Sequence, residues 1–346
     1  MIDMRIGEVS RSKYAASVLG FAFILIGGLF VVKWHPYADR AMVAAATHNI
    51  GPSILGHEVA AGWQAGAAYS AAYVKAIWKA LVLAIAVGAG VQVLIPRRWI
   101  GALFTGRSSG ARATMAALPS MMCTCCAAPI AVGLIESEAD ASAAIAYWLA
   151  NPLLNPATLV FIGFVLGWDW AALRLVLGAI MVFAMSRLAG RMLPNRVRLA
   201  PGTIMQDDAR RGLLYGWLLT CWRLAVRLVP EYLVLVFLLG ATRAWLFPVL
   251  TPSLGHAPWL PPLLAAAGTL FVIPTAGEVP IVQTLQHLGL GPAGAAALLV
   301  TLPAVSLPSL AMLGRAAPLR LLVLIAFGTF GFGLIAACAA PLLGLA

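Results

Sequence analysis

Charge is what this sequence has least of. Asp and Glu number 12 and Lys and Arg 23 in 346 residues, so that 10% of the chain is charged, against roughly 25% in a soluble domain. So few ions cannot cover a water-exposed surface, and the remainder agrees: 62% of residues are hydrophobic and the mean hydropathy is +0.93. The scarcity excludes a separate soluble domain and predicts an integral membrane protein. Histidine and cysteine are also few, five of each, which leaves neither a disulfide framework nor the spaced ligand pairs of a structural zinc site. The formal charge of +11 would suggest nucleic acid in a soluble chain. Here the basic residues sit between apolar runs, where the positive-inside rule accounts for them, and no nucleic-acid partner is expected.

Apolar runs cover 14–32, 74–95, 113–135, 142–167, 171–188, 230–247, 263–285, 293–313 and 319–345. They predict an all-α polytopic fold of about 7–10 membrane segments. The first run follows Arg5, Arg11 and Lys13 but is followed by Lys33-Trp34 rather than a small-residue cleavage site, which makes it a retained span and not a signal peptide. If all nine runs crossed, the Arg-rich segment 187–211 would share a side with the Arg-poor loop 33–73. Reading 113–135 and 263–285 as re-entrant hairpins removes the conflict. The amino terminus, Arg97, Arg98, Arg107, Arg112, Arg187 to Arg211, Arg315 and Arg320 then lie in the cytoplasm, with the 168–170 turn and 252–262 loop opposite. Residues 212–229, with Arg223 and Arg227 one turn apart, read as an amphipathic helix on the cytoplasmic face, the alternative being a true span. Trp34, Trp99, Trp168, Trp170, Trp245 and Trp259 fall near run ends as interfacial anchors.

An internal repeat supports the hairpins. An offset of 151 residues pairs Thr124 with Thr275, Pro129 with Pro280, Pro152 with Pro303 and Leu159 with Leu310. The division that follows is 1–73 (first helix and external loop), 74–188 (repeat one with a cysteine hairpin), 189–229 (cytoplasmic linker and amphipathic helix) and 230–346 (repeat two). The two units enter from opposite sides, so the repeats are inverted, with hairpin tips meeting at the midplane. Such an arrangement puts a binding site between the halves and permits alternating access.

Chemistry gathers at the tips. The stretch MMCTCCAAPI puts Cys123, Cys125 and Cys126 around Thr124, followed by Pro129; its counterpart holds Thr275, Glu278 and Pro280. Pro129 and Pro280 are expected to open the returning arms, which would set the thiols at a helix amino terminus whose dipole favours thiolate. Clustered thiols suit soft acceptors, including a trivalent metalloid, so Cys123, Cys125 and Cys126 are candidate cargo and metalloid ligands. The competing reading is three small residues packing a hairpin. Glu278, ionisable within an apolar run, is a candidate proton-coupling or gating group, or else a local helix cap. Asn151, Pro152, Asn155 and Pro156, with Pro303, Ser306 and Pro308, break two further helices and either line the cavity or merely kink them. Cys221 and Cys338 read as packing residues, and no ligand role falls to the histidines.

The blocks CTCCAAPIAVGL, AIAYWLANPLLNPATL, PTAGEVPIVQTL and LLVTLPAVSL resemble those of the predicted-permease family that includes the ArsP organoarsenical efflux proteins. The resemblance covers roughly 74–345. It implies a multi-pass permease of the bacterial inner membrane that exports trivalent methylated or aromatic arsenicals through cysteines mapping to Cys123, Cys125 and Cys126. Glycine often stands in the family where Cys126 does here, so a third thiol is expected to alter cargo choice. The sequence reading is thus a permease, not an enzyme, needing no cofactor, with a small-molecule or metalloid cargo, the lipid bilayer and protons as partners and the oligomeric state open. The alternatives are another thiophilic cargo, a soft metal ion or reduced sulfur compound, and, behind these, a membrane thiol-disulfide relay.

Overall fold

The computed structural model describes residues 19–54, 62–95, 97–137, 139–193, 213–246, 255 and 257–345. The expectations for Arg5, Arg11, Lys13, the arginines from 196 to 211 and most of the 252–262 loop lie outside the described residues.

No strand occurs among the described residues; the helices are α1 (Leu19–Thr47), α2 (Trp63–Val93), α3 (Arg97–Phe104), α4 (Ser109–Ala117), α5 (Thr124–Glu136), α6 (Ala141–Leu153), α7 (Pro156–Val165), α8 (Trp168–Met192), α9 (Leu213–Leu246), α10 (Leu260–Leu270), α11 (Glu278–His287), α12 (Pro292–Ala304), α13 (Leu307–Leu313) and α14 (Leu319–Leu342). Among the described residues seven spans are long and apolar enough to cross a membrane: α1, α2, the pair α6–α7, α8, α9, the pair α12–α13, and α14. The chain is therefore a polytopic helical membrane protein. In such a molecule the apolar outer face meets lipid, so Phe23, Phe327 and Leu342, all largely exposed, need no protein partner.

The two expected hairpins are present. Helices α4 and α5 meet through a 3₁₀ turn at Leu118–Ser120, and α10 and α11 meet through an extended stretch at 271–274. Each arm has 9 to 13 residues, which at about 1.5 Å per residue reaches roughly half a hydrocarbon core of about 30 Å. Behind each hairpin stands a broken helix. Pro156 opens α7 as its first residue, and Asn155 caps it by accepting from the Ala157 and Thr158 amides. Ser306 caps α13 in a capping box with Ser309.

The offset of 151 residues extends to whole elements. Helices α4, α6, α7 and α8 begin at residues 109, 141, 156 and 168, and α10, α12, α13 and α14 at 260, 292, 307 and 319; α2 and α9 begin at 63 and 213, one residue short of the same offset. The packing follows the same rule. Helix α5 lies against α13 and α11 against α7, so each returning arm meets the broken helix of the other half, while α2 packs along α9. Among the described residues, the broken helix α6–α7, α8 and α9 lie between the hairpins, an odd number of crossings, which has the hairpins enter from opposite faces. Among the described residues, helices α1 and α3 have no counterpart.

Three local expectations change. Residues 212–229 do not form a separate surface helix: from Leu213 they are the first half of α9, a 34-residue helix that runs through Pro230. Residues 33–73 are not one loop, since α1 continues to Thr47 and α2 starts at Trp63. Pro129 does not open its arm; it is the sixth residue of α5, whereas Pro280 does sit in the first turn of α11. The break before α5 comes instead from Met121, held at φ 47°, and Cys123, whose extended backbone caps the helix.

Candidate functional site

The hairpin tips meet in the interior. A crevice between them is lined by Cys123 and Thr124 of the first tip, by Ile273, Pro274, Thr275, Ala276 and Glu278 of the second, and by Pro152, Thr158 and Pro303 at the helix breaks. It has room for about one water molecule, so a larger occupant requires its walls to part.

The first tip is held from behind by Asn151. Its Oδ1 accepts from Ser120 Oγ at 2.5 Å and from the Met122 amide at 3.1 Å, while its Nδ2 donates to the Tyr147 carbonyl. Asn151 is thus a buried brace and not a crevice wall. Trp148 Nε1 donates to the Thr124 carbonyl at 3.1 Å, and Gly88 of α2 and Gly133 of α5 let the two helix backbones approach, since a Cβ at either would stand 3.2 Å from backbone oxygen. The thiols diverge in their surroundings. Cys123 Sγ and Cys126 Sγ are 3.2 Å apart. Cys125 Sγ instead faces hydroxyls, 3.7 Å from both Tyr73 OH and Ser306 Oγ and 3.9 Å from Thr124 Oγ1. All three cysteines are buried. Among the described residues no three His, Cys, Asp or Glu side chains form a metal-holding group, so the thiols act together on one centre only after rearrangement. Cys221 is half-buried, and Cys338 is exposed on the outer face, not packed inside.

The second tip has no thiol. Tyr69 donates to the Val272 carbonyl and Tyr73 to the Ile273 carbonyl at 3.2 Å, which pins the extended stretch to α2. Tyr73 therefore touches both tips. The turn is completed by Ala276 at φ 64°, and Glu278 opens α11 with its side chain pointing inward.

Glu278 pairs with Arg174 of α8, Nη1 to Oε1 at 2.7 Å, both side chains being essentially inaccessible. Arg174 does more than neutralise. Its Nη2 donates to the Pro152 carbonyl at 2.6 Å, its Nε to Leu153 at 3.3 Å and its Nη1 to Leu299 at 3.1 Å. These carbonyls are orphans of the helix breaks: the amides four residues beyond Pro152 and Leu299 belong to Pro156 and Pro303, which have no hydrogen to give, and that of Ala157 is already committed to Asn155. One guanidinium thereby satisfies both broken helices and the carboxylate of tip two. Around this ion pair, Glu278 Oε2 and Asn155 Nδ2 remain buried without a hydrogen-bond partner among the described residues.

Helix α1 contributes a second buried cation. Its turn Phe30–Trp34 is π-helical, a distortion common at functional sites, and the widened turn aims adjacent residues at the two tips. Trp34 Nε1 donates to the Pro119 carbonyl at 2.7 Å, a bond and not merely an interfacial anchorage. Lys33 Nζ donates to Thr275 Oγ1 and to Tyr37 OH, each at 3.1 Å.

Of the residues singled out by sequence, Cys123, Thr124, Pro152, Thr275, Glu278 and Pro303 line one crevice; Cys125 and Ser306 meet beside it. Cys126 backs Cys123, and Asn151, Asn155, Pro129, Pro156, Pro280 and Pro308 serve the scaffold. Sequence reasoning missed Arg174, Lys33, Tyr69 and Tyr73. The signal for the first two was available, a lone cation within or at the edge of an apolar run; the tyrosines carry none.

Residues 68–339 match the family described as "Predicted permease". UPF0718 protein YraQ of Escherichia coli strain K12 is 46% identical over 308 residues, covering 87% of this chain and 88% of that protein. No solved structure matches.

Proposed function

The chain belongs to the predicted-permease family, and from that premise we propose that it exports trivalent organoarsenicals such as methylarsenite by thiol exchange at the crevice between its hairpin tips. The observation that carries the reading is the convergence of Cys123 with Thr275 and Glu278, drawn from opposite halves, on one buried crevice. A permease needs such a point of contact between inverted units, because rocking one against the other exposes it to alternate sides.

The exchange balances without a redox partner. A cysteine sulfur bonds to arsenic as an arsenic–hydroxyl bond breaks, and the departing hydroxide takes the thiol proton as water. A second neighbouring thiol repeats the step, and water attack reverses both at release. Three thiols within four residues allow the metalloid to pass between them, so that binding need not be tight enough to trap it. Glu278, whose Oε2 lacks a partner, is the group we assign to proton coupling. The protein is a transporter and not an enzyme in this reading, set in the bacterial inner membrane with a cytoplasmic amino terminus.

The test is methylarsenite flux in proteoliposomes. Cys125→Ser, and separately Cys123→Ser, should abolish flux and cellular resistance while membrane insertion and thermal unfolding stay as in the wild type. Undiminished flux in both variants overturns the thiol mechanism.

A further inference from the structure

Lys33 is a buried cation, 4% exposed, whose partners among the described residues are two hydroxyls and the face of the Tyr37 ring at 5.2 Å. No carboxylate pairs with it among those residues, which is unusual, because a buried charge is normally matched by an opposite one. It stands behind Thr275, a wall of the crevice that Cys123 also lines. The other charges at the crevice are Arg174 and Glu278, which neutralise each other at 2.7 Å. With its thiols protonated, the crevice thus carries one uncompensated positive charge, and the α5 amino terminus beside it, with no side-chain cap, adds to the same sign.

We propose that Lys33 is the charge filter of the cargo site, admitting neutral and anionic thiophiles and rejecting cations. The inference rests on the crevice being the cargo site and narrows the cargo class: an uncharged organoarsenical or a small sulfur-bearing anion is acceptable, whereas soft cations such as Cu(I), Cd(II) or Hg(II) are excluded despite their affinity for thiols. A positive charge in a medium of low dielectric repels another far more strongly than it would in water. Lys33 acts from α1, which precedes the residues matched by the family.

The test uses the full-length protein with Cys221→Ala and Cys338→Ala, so that only the tip thiols react. Three methanethiosulfonates are compared, each rate taken relative to that reagent's rate with a free thiol: neutral methyl, and two charged reagents of similar size, anionic sulfonatoethyl and cationic trimethylammonioethyl. Each passes its thio group to a cysteine sulfur as methanesulfinate leaves with the thiol proton. The anionic reagent should react at least tenfold faster than the cationic one. Lys33→Met should reduce that ratio to within about twofold of unity, Lys33→Arg should keep it, and the neutral reagent should react alike in all three. Equal wild-type rates, a cationic preference, a crevice closed to every reagent, or a ratio unchanged in Lys33→Met each overturn the proposal. If Lys33→Met does not fold, the wild-type ratio and Lys33→Arg still decide. Because no flux is measured, failure of methylarsenite transport with the charge preference intact would count against the arsenical reading alone.

Discussion

The two hairpin tips occupy equivalent positions 151 residues apart and are built from different chemistry. Tip one carries Cys123, Cys125 and Cys126; the equivalent positions of tip two are Pro274, Ala276 and Gly277. Tip two carries Glu278 where tip one has Ala127. The scaffold around them is shared: Asn155 and Ser306 cap equivalent half-helices, and Pro152 and Pro303 interrupt equivalent turns. Even the caps diverge in step with the tips, since Ser306 reaches the sulfur of Cys125 while the Asn155 amide finds no partner in the half that faces the alanine-bearing tip. Duplication supplied a symmetric cradle, and the soft ligands and the acid were then assigned to opposite sides of it. In the proposed reading, a cargo held between them meets sulfur from one half and oxygen from the other, so movement of either half changes what it is bonded to.

The comparison breaks most severely at Arg174, whose counterpart in the second half is Ile325. Arg174→Met leaves Glu278 buried and unpaired and returns the carbonyls of Pro152, Leu153 and Leu299 to orphan status. Removing one partner of a buried pair costs about 3–5 kcal/mol, so the variant should unfold at clearly lower temperature in detergent and give little monodisperse protein. Glu278→Gln keeps an amide oxygen for Arg174 to bond and should cost about 1–3 kcal/mol. Equal stability of the two variants would mean that the guanidinium bonds the carboxylate alone and that the helix breaks do not depend on it.

How far the sequence revealed this asymmetry follows from what hydropathy can resolve. The hairpins were legible because runs at 113–135 and 263–285 conflicted with the charge rule, and the repeat because proline pairs in one register survive in Ala- and Leu-rich sequence. The cysteines and Glu278 declared themselves by rarity. Arg174 was hidden inside the apolar run 171–188, where one cation among many aliphatic residues barely lowers the average. In the sequence Lys33 reads as the edge of the first span because it stands next to Trp34; only the continuation of α1 to Thr47 makes it an interior residue. Residues 212–229 were separated from 230–247 because Arg223 and Arg227 depress the local hydropathy, although nothing there prevents a helix and Pro230 is tolerated within α9. Tyr69 and Tyr73 lie four apart on α2 and look like ordinary core residues, since their role depends on carbonyls some 200 positions away in the chain.

A sharper form of the comparison exchanges the braces. Asn151 holds the first tip by its side-chain oxygen, and its counterpart in the second half is Leu302. Asn151→Leu gives the first half the second half's residue and leaves the Met122 amide without its acceptor in a buried place, while Ser120 keeps the Ala117 carbonyl. The expected cost is about 1–3 kcal/mol, read as a lower unfolding temperature and faster alkylation of Cys123 as the tip loosens. If stability falls while alkylation is unchanged, the brace supports the helices and not the tip.

The smallest expected effect concerns the turn that sets the second tip. Ala276 holds φ 64°, a left-handed conformation that costs a residue with a Cβ roughly 1–2 kcal/mol and glycine almost nothing. The unfolded chain gains freedom from the same glycine, worth about 0.5–1 kcal/mol in the opposite direction. Ala276→Gly should therefore lie within about 1 kcal/mol of the wild type in thermal unfolding, on the stabilising side. Ala276→Val, which adds branching at the same φ, should be less stable than wild type, since β-branched residues tolerate this region least. Since Cys125 occupies the equivalent place in the first tip with helical backbone, an Ala276→Gly variant less stable than wild type would mean that the left-handed turn is not what separates the two tips, and that the second can adopt the geometry of the first.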